Sequence, residues 1–325
     1  MTTAAANGDT YFSSRKEHVP ATAPNSGMAL WGIGILLAVA NFLAVLDVSI
    51  ANVSVPTIAG NLGASTSQGT WVITSYSVAE AIMVPLTGWL ANRFGAVRVF
   101  VTAMLGFGCF SAMCGLAPTL NSLVFFRVMQ GFCGGPLMPL SQTLLMRIFP
   151  KEKQGMALGL WVMTTLTAPI AWPMLGGILC DNLGWPSIFW VNVPIALICA
   201  PILYTILRKF ETALVKVRID LVGLVLLVVF VGSLQLMLDL GKEHDWFESG
   251  MITTLAVVTV VGFGAFLIWE LTEKEPVVNL RVFRHRGLAA ARLTLPLAYG
   301  GFMASNVLVP QWLQLNMGYT ATWAG

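Results

Sequence analysis

The chain has 325 residues, of which 56% are hydrophobic and only 10% charged, with a formal net charge of +3. A soluble domain carries about 25% charged residues, so this composition excludes an ordinary soluble enzyme and points to a polytopic membrane protein. No GxxxxGK[ST] phosphate loop is present, which excludes ATP hydrolysis by the chain itself.

Residues 1–27 are polar and rich in Ala, Thr, Ser and Pro. They lack the apolar core and small-residue cleavage site of a signal peptide and are expected to form a disordered tail. From residue 28 onward, apolar windows of about 20 residues, enough to cross a bilayer, recur with short breaks. Nine spans are predicted, at 28–53, 69–91, 97–116, 123–145, 156–179, 188–207, 221–240, 251–271 and 288–315. The last is interrupted by Pro296 and Pro310. Small-residue spacings such as Gly131/Gly135 and Gly155/Gly159 are expected to permit close helix crossing.

The basic residues fix an orientation. Arg15 and Lys16 precede the first span; Arg93 and Arg98 follow the second; Arg147, Lys151 and Lys153 follow the fourth. Arg208, Lys209, Lys216 and Arg218 follow the sixth, and Lys274, Arg281, Arg284, Arg286 and Arg292 the eighth. Of the 18 Lys and Arg residues, only Arg127 and Lys242 fall elsewhere, so the positive-inside rule puts the N-terminus in the cytoplasm.

Cys109, Cys114, Cys133, Cys180 and Cys199 all lie in or beside apolar runs, and no CxxC or Cys/His cluster occurs. They read as small buried apolar side chains, and no metal or cofactor is expected. His18, His244 and His285 are far apart, in polar segments. No nucleophile/base pairing supports an enzyme.

Three ionisable residues lie well within spans: Asp47, Glu80 and Arg127. An arginine at the centre of a membrane helix costs roughly 2.5–3.5 kcal/mol on insertion scales, so it is expected to face the bundle interior and to have a partner. At 1.5 Å per residue, Asp47 lies about 28 Å from the cytoplasmic start of its span, and Arg127 about 6 Å below the outer start of its own. Both are thus in the outer half, while Glu80, about 16 Å in from the outside, is near the midplane. Asp47 and Arg127 can meet at one level, with Glu80 a turn or two deeper. A buried carboxylate beside an arginine is poised between desolvation and charge stabilisation, which suits proton exchange; a static salt bridge is the competing reading. Asn41, Asn52, Tyr76 and Gln130 would add polar lining or interhelical hydrogen bonds.

The loop after the second span reads Gly88-Trp89-Leu90-Ala91-Asn92-Arg93-Phe94-Gly95-Ala96-Val97-Arg98. It resembles the GxLaDrxGrk signature between helices two and three of major facilitator transporters. The run holding Arg127, Gln130 and Gly131 is similar to the fourth-helix motif of that superfamily. The stretch from Leu46-Asp47-Val48 to Val55-Pro56 resembles the first-helix motif of the fourteen-helix drug/proton antiporters, and Gly184-Trp185-Pro186 through Asn192-Val193-Pro194 the start of their sixth helix. Pro85-Leu86-Thr87-Gly88, Trp269-Glu270-Leu271-Thr272 and Gly318-Tyr319-Thr320 through Gly325 bring the resemblance closest to the EmrB/QacA type, and to EmrB within it.

The resemblance implies an all-α fold: a major facilitator six-helix bundle at 28–207, a linker with two extra helices at 208–271, and a cytoplasmic linker plus the first helix of an incomplete C-terminal bundle at 272–325. It implies proton-driven multidrug efflux across the bacterial inner membrane, with hydrophobic or amphipathic drugs and protons as partners of a chain seated in the lipid bilayer. A periplasmic adaptor (a membrane fusion protein) and an outer-membrane channel are further implied partners; nucleic acid is not. Asp47, Glu80 and Arg127 would be the proton-coupling residues, and Asn52, Tyr76, Gln130 and Trp172 candidates for the substrate cavity. Gly88, Asn92, Arg93, Gly95 and Arg98 would form the gating loop, and Pro173, Gly176 and Gly177 the antiporter motif of the fifth helix.

Three residues depart from the family pattern. Asn92 replaces the usual acidic residue of the loop, Ala96-Val97 a basic pair, and Trp172 a glycine of the antiporter motif. Alternating access needs two halves rocking about a midplane site, so a chain with one bundle is expected to be a truncated form. The alternative is a transport-inactive membrane subunit that acts by assembling with a partner.

Overall fold

The computed structural model describes residues 27–215, 220–273, 276–278, 280, 290, 294–301, 312 and 317. The side chains of Asn52, Trp172 and Pro173, the surroundings of Gly177, the expected 1–27 tail apart from Gly27, and most of the ninth span lie outside the described residues. Every regular element among the described residues is helical. The α-helices up to residue 273 are α1 (Gly27–Asn61), α2 (Thr66–Gly69), α3 (Trp71–Phe94), α4 (Ala96–Gly115), α5 (Leu120–Gly134), α6 (Leu137–Ile148), α7 (Lys151–Leu183), α8 (Ser187–Trp190), α9 (Asn192–Leu207), α10 (Leu221–Leu240) and α11 (Gly250–Thr272); short 3-10 helices lie at Arg208–Phe210 and Trp246–Glu248, and residues 294–301 are helical.

Six segments among the described residues are long and apolar enough to cross a membrane: Gly27–Ala51, Ala96–Gly115, Leu120–Ile148, Ser187–Phe210, Leu221–Leu240 and Gly250–Thr272. The second and fifth expected spans are also helical, as α3 and α7, with 24 and 33 residues. Two expected spans differ in form. The fourth is broken at Gly135-Pro136 into α5 and α6, where proline offers no amide to the preceding turn. The sixth is divided at Val191 into α8 and α9, because Pro194 cannot donate to the carbonyl of Trp190.

In a bilayer the association of helices rests on close packing and interhelical hydrogen bonds rather than on expulsion of water. Within the unit Met1–Phe266, α1 lies along α7 and touches α6. α5 packs against both α3 and α4, α9 against α4 and α1, and α10 against α3. One apolar cluster gathers Leu37, Leu43, Phe100, Met104, Leu140 and Leu203; a second gathers Leu46, Ile50, Cys114, Leu123 and Phe189. Buried polar bonds stitch neighbouring helices: Asn41 Nδ2 donates to Thr165 Oγ1 at 2.7 Å, and Trp161 Nε1 to Ser141 Oγ at 3.0 Å. In the unit Leu267–Gly325, the amide of Val278 donates to the buried Glu270 carboxylate at 3.1 Å.

α3 crosses α5 closely. A Cβ on Gly131 would lie 2.5 Å from the carbonyl oxygen of Tyr76, and one on Gly135 would lie 2.7 Å from Met83 Cβ and 2.9 Å from the Glu80 carbonyl. The second expected pair behaves differently: a Cβ on Gly155 or Gly159 would meet nothing within 4 Å. The same spacing therefore serves a helix contact in α5 and faces open space in α7.

Candidate functional site

α5 opens with a capping box: the Thr119 side chain accepts from the Ser122 amide, and the Ser122 hydroxyl from the Thr119 amide. Two otherwise orphaned amides are thereby satisfied. The helix starts at Leu120, three residues before the expected span, and carries Arg127 about 10 Å below its start. Arg127 is fully buried.

The depth-matched pair meets. Arg127 Nη1 donates to Asp47 Oδ2 in an ion pair whose side chains are 0% and 1% exposed. Gln130, one turn beyond Arg127 on α5, accepts from Arg127 Nη1 through Oε1 at 2.9 Å and donates to Asp47 Oδ1 at 2.9 Å. Arg127 Nε donates to the carbonyl of Val72 on α3 at 2.9 Å. The guanidinium carbon sits 4.2 Å from the centre of the Tyr76 ring and 5.7 Å from that of Phe189, a desolvated cation–π contact worth about 2 kcal/mol. Nη2 alone has no hydrogen-bond partner among the described residues.

Asn192, at the start of α9, completes the cluster. Its Nδ2 donates to Asp47 Oδ1 at 2.8 Å and to Ser111 Oγ at 3.1 Å, and Ser111 in turn donates to the Phe189 carbonyl at 2.8 Å. Asp47 thus accepts from Arg127, Gln130 and Asn192, side chains on two other helices. Neither Asn192 nor Ser111 figures among the candidates drawn from the sequence. The cues to Asn192 are a polar residue in the apolar run from Phe189 to Pro194 and its place in the motif that opens the sixth helix.

Glu80 lies one turn beyond Tyr76 on α3, about 6 Å further along the axis. It is only partly buried, unlike the sealed Asp47. Tyr76 is fully buried and fills the space between the guanidinium and Gly134, whose added Cβ would meet the phenol oxygen at 2.5 Å. The site therefore holds a carboxylate with three side-chain donors, a cation whose Nη2 is unpaired among the described residues, and a second, partly buried carboxylate.

The 88–98 motif lies apart from this cluster and, rather than forming the expected loop, is helical except at Gly95, as the end of α3 and the start of α4. Gly95 ends α3 with φ +98°, and Asn92, Arg93 and Arg98 are exposed. An added Cβ on Gly88 would meet nothing within 4 Å. In α7, Gly176 is buried against Ile50 of α1, an added Cβ lying 3.0 Å from Ile50 Cγ2. The positions Asn52, Trp172, Pro173 and Gly177 lie outside the described side chains. Among the described residues no group of three or more His, Cys, Asp or Glu side chains is placed to hold a metal ion.

Comparison with known proteins gives this arrangement its context. The chain is 50% identical to the "Fatty acid resistance protein FarB" of Neisseria gonorrhoeae over 302 residues, 93% of the chain and 60% of the relative. It is 51% identical to the "Multidrug export protein EmrB" of Escherichia coli (strain K12) over 302 residues, 93% of the chain and 59% of that protein. The chain thus spans about 60% of the length of the curated relatives it matches. Among solved structures, a peptide transporter POT in complex with sulfate shares the fold with a TM-score of 0.57 at 13% identity, covering 90% of this chain and 64% of the other. A profile of the Major Facilitator Superfamily matches residues 37–325, and the chain belongs to that superfamily.

Proposed function

We propose that the chain works in proton-driven drug efflux, with Glu80 as the group that loads and releases the proton and Asp47–Arg127 as the charge pair that senses it. One observation carries this reading: among the described residues Arg127 Nη2 has no hydrogen-bond partner while its other nitrogens are engaged, and the partly buried Glu80 lies one turn beyond Tyr76, whose ring packs on the guanidinium. Asp47 already has three side-chain donors and is sealed from solvent. Protonating it would discard charge-assisted bonds on a fully buried arginine, whereas Glu80 can exchange a proton without dismantling the cluster.

In this scheme ionised Glu80 competes with Asp47 for the guanidinium, and a proton on Glu80 returns Arg127 wholly to Asp47. Because α3 crosses α5 with backbone against glycine, a shift of Glu80 is passed directly to the helix that carries Arg127. Such a two-position element is what alternating access about a midplane site needs. Asn52, Tyr76, Gln130 and Trp172 remain the proposed substrate-cavity residues, and Pro173, Gly176 and Gly177 the proposed antiporter motif.

The names of the relatives, multidrug export and fatty acid resistance, support hydrophobic or amphipathic substrates. The chain is placed in the inner membrane as part of this proposal, and the distribution of Lys and Arg supports a cytoplasmic N-terminus. A periplasmic adaptor and an outer-membrane channel would complete the export path.

Reconstitution in liposomes tests the reading. Glu80→Gln is expected to abolish efflux of an amphipathic dye driven by an imposed pH gradient while sparing dye-for-dye exchange, which needs no net proton movement. Full gradient-driven efflux by Glu80→Gln would remove Glu80 from the coupling.

A further inference from the structure

The start of α4 is capped by residues that follow α9. A helix N-terminus leaves its first amides without intrahelical partners, and here three of them are met from the linker. Thr212 Oγ1 accepts from the Ala96 amide at 3.0 Å, Glu211 Oε1 from the Val97 amide at 2.9 Å, and Glu211 Oε2 from the Arg98 amide at 3.1 Å. The Thr212 hydroxyl also donates to the Ala91 carbonyl at 3.2 Å, and the Val215 amide to the Asn92 carbonyl at 2.9 Å, so the linker grips the end of α3 as well. A carboxylate at a helix N-terminus is further favoured by the helix dipole, and the Arg98 side chain lies 3.9 Å from it.

Gly95 has a matching geometry. Its φ of +98° is one reason for glycine; the other is that an added Cβ would lie 2.6 Å from the Glu211 carboxyl carbon and one of its oxygens. Asp220 then caps α10 through the Gly223 amide at 2.9 Å, and α10 packs on α3. The linker is thus anchored at the junction of α3 and α4 and again where it re-enters a helix.

We propose that Glu211 and Thr212 are positioning residues forming a latch that locks the junction of α3 and α4 at Gly95 and holds α10 to the first bundle, so that α10 moves with α3 and α4. This does not rest on the proton-coupling reading; its failure and the failure of that reading are read in different experiments. Glu211 supplies the acidic group that the 88–98 motif itself lacks at Asn92.

Hydrogen exchange of the detergent-solubilised protein tests the latch. Glu211→Ala is expected to speed exchange of the 97 and 98 amides by roughly ten- to a hundredfold, the worth of a charge-assisted hydrogen bond, with the middle of α4 unchanged. Thr212→Val, which removes only a hydroxyl, is expected to free the 96 amide, and Glu211→Gln, which keeps one acceptor oxygen, to restore part of the protection. Gly95→Ala is expected to disturb the junction less in a Glu211→Ala background than alone.

Spin labels at the exposed positions Phe94 and Leu238 should report one narrow distance, unchanged by dye, that broadens in Glu211→Ala. Unchanged exchange at 96–98 in both Glu211→Ala and Thr212→Val would overturn the proposal, as would a broad label distance in the unmodified chain. Acceleration spread evenly over all helices in Thr212→Val would overturn it too.

Discussion

Replacing Asp47 by asparagine keeps the size of the side chain but removes the only formal charge bonded to Arg127 in the buried cluster. Removing one partner of a buried pair costs about 3–5 kcal/mol, because the other charge stays desolvated. The asparagine oxygen can still accept from Gln130 and Asn192, but its NH2 would face Arg127 Nη1, donor against donor. We therefore place Asp47→Asn near the middle of that range, about 4 kcal/mol. Arg127→Gln leaves Asp47 with two donors, at 2.9 and 2.8 Å, and should cost nearer 3 kcal/mol.

Making both changes removes both charges, so the paired loss should fall short of the sum by about 2–3 kcal/mol. That coupling exceeds the roughly 0.6 kcal/mol typical of interhelical hydrogen bonds in membranes and would identify an ion pair rather than a polar contact. Denaturant-induced unfolding in mixed micelles, followed by tryptophan fluorescence, measures all four corners of the cycle. Additivity within about 0.5 kcal/mol would refute the assignment of Asp47 and Arg127 as one electrostatic unit.

The same unfolding assay checks three further expectations. Gly131→Ala drives a Cβ against the Tyr76 carbonyl at 2.5 Å and should cost about 1–3 kcal/mol by overpacking, whereas Gly155→Ala, in open space, should stabilise its helix by about 0.5–1 kcal/mol. Asn192→Ala strips a donor from both Asp47 and Ser111 and should cost about 1–3 kcal/mol; a change below 0.5 kcal/mol would place Asn192 outside the cluster. Thr119→Ala removes the cap of α5 and should cost about 1 kcal/mol, with no effect on the Asp47–Arg127 coupling.

What could be read ahead of the structure was whatever depends on the fixed rise of a helix. Asp47 and Arg127 were matched by depth alone, because alternating spans and 1.5 Å per residue leave little freedom along the membrane normal. Rotation about that normal is not so constrained. Gly131/Gly135 and Gly155/Gly159 have identical spacing, yet only the first pair faces another helix. The role of Asn192 is not legible for a related reason: a lone amide in an apolar run does not declare which helix it faces. The division of the fourth span at Pro136 turns on a local break that hydropathy averages over. The grip of Glu211 on the start of α4 joins positions 113 and 114 residues apart, and no local pattern announces it.

Proton release on drug binding, followed with a pH indicator in weakly buffered detergent solution, tests the proposed division of labour between the two carboxylates most directly. Addition of an amphipathic dye should release protons from the unaltered protein and from Asp47→Asn, and none from Glu80→Gln. Release that survives in Glu80→Gln but disappears in Asp47→Asn would contradict the account and move the exchanging proton to Asp47.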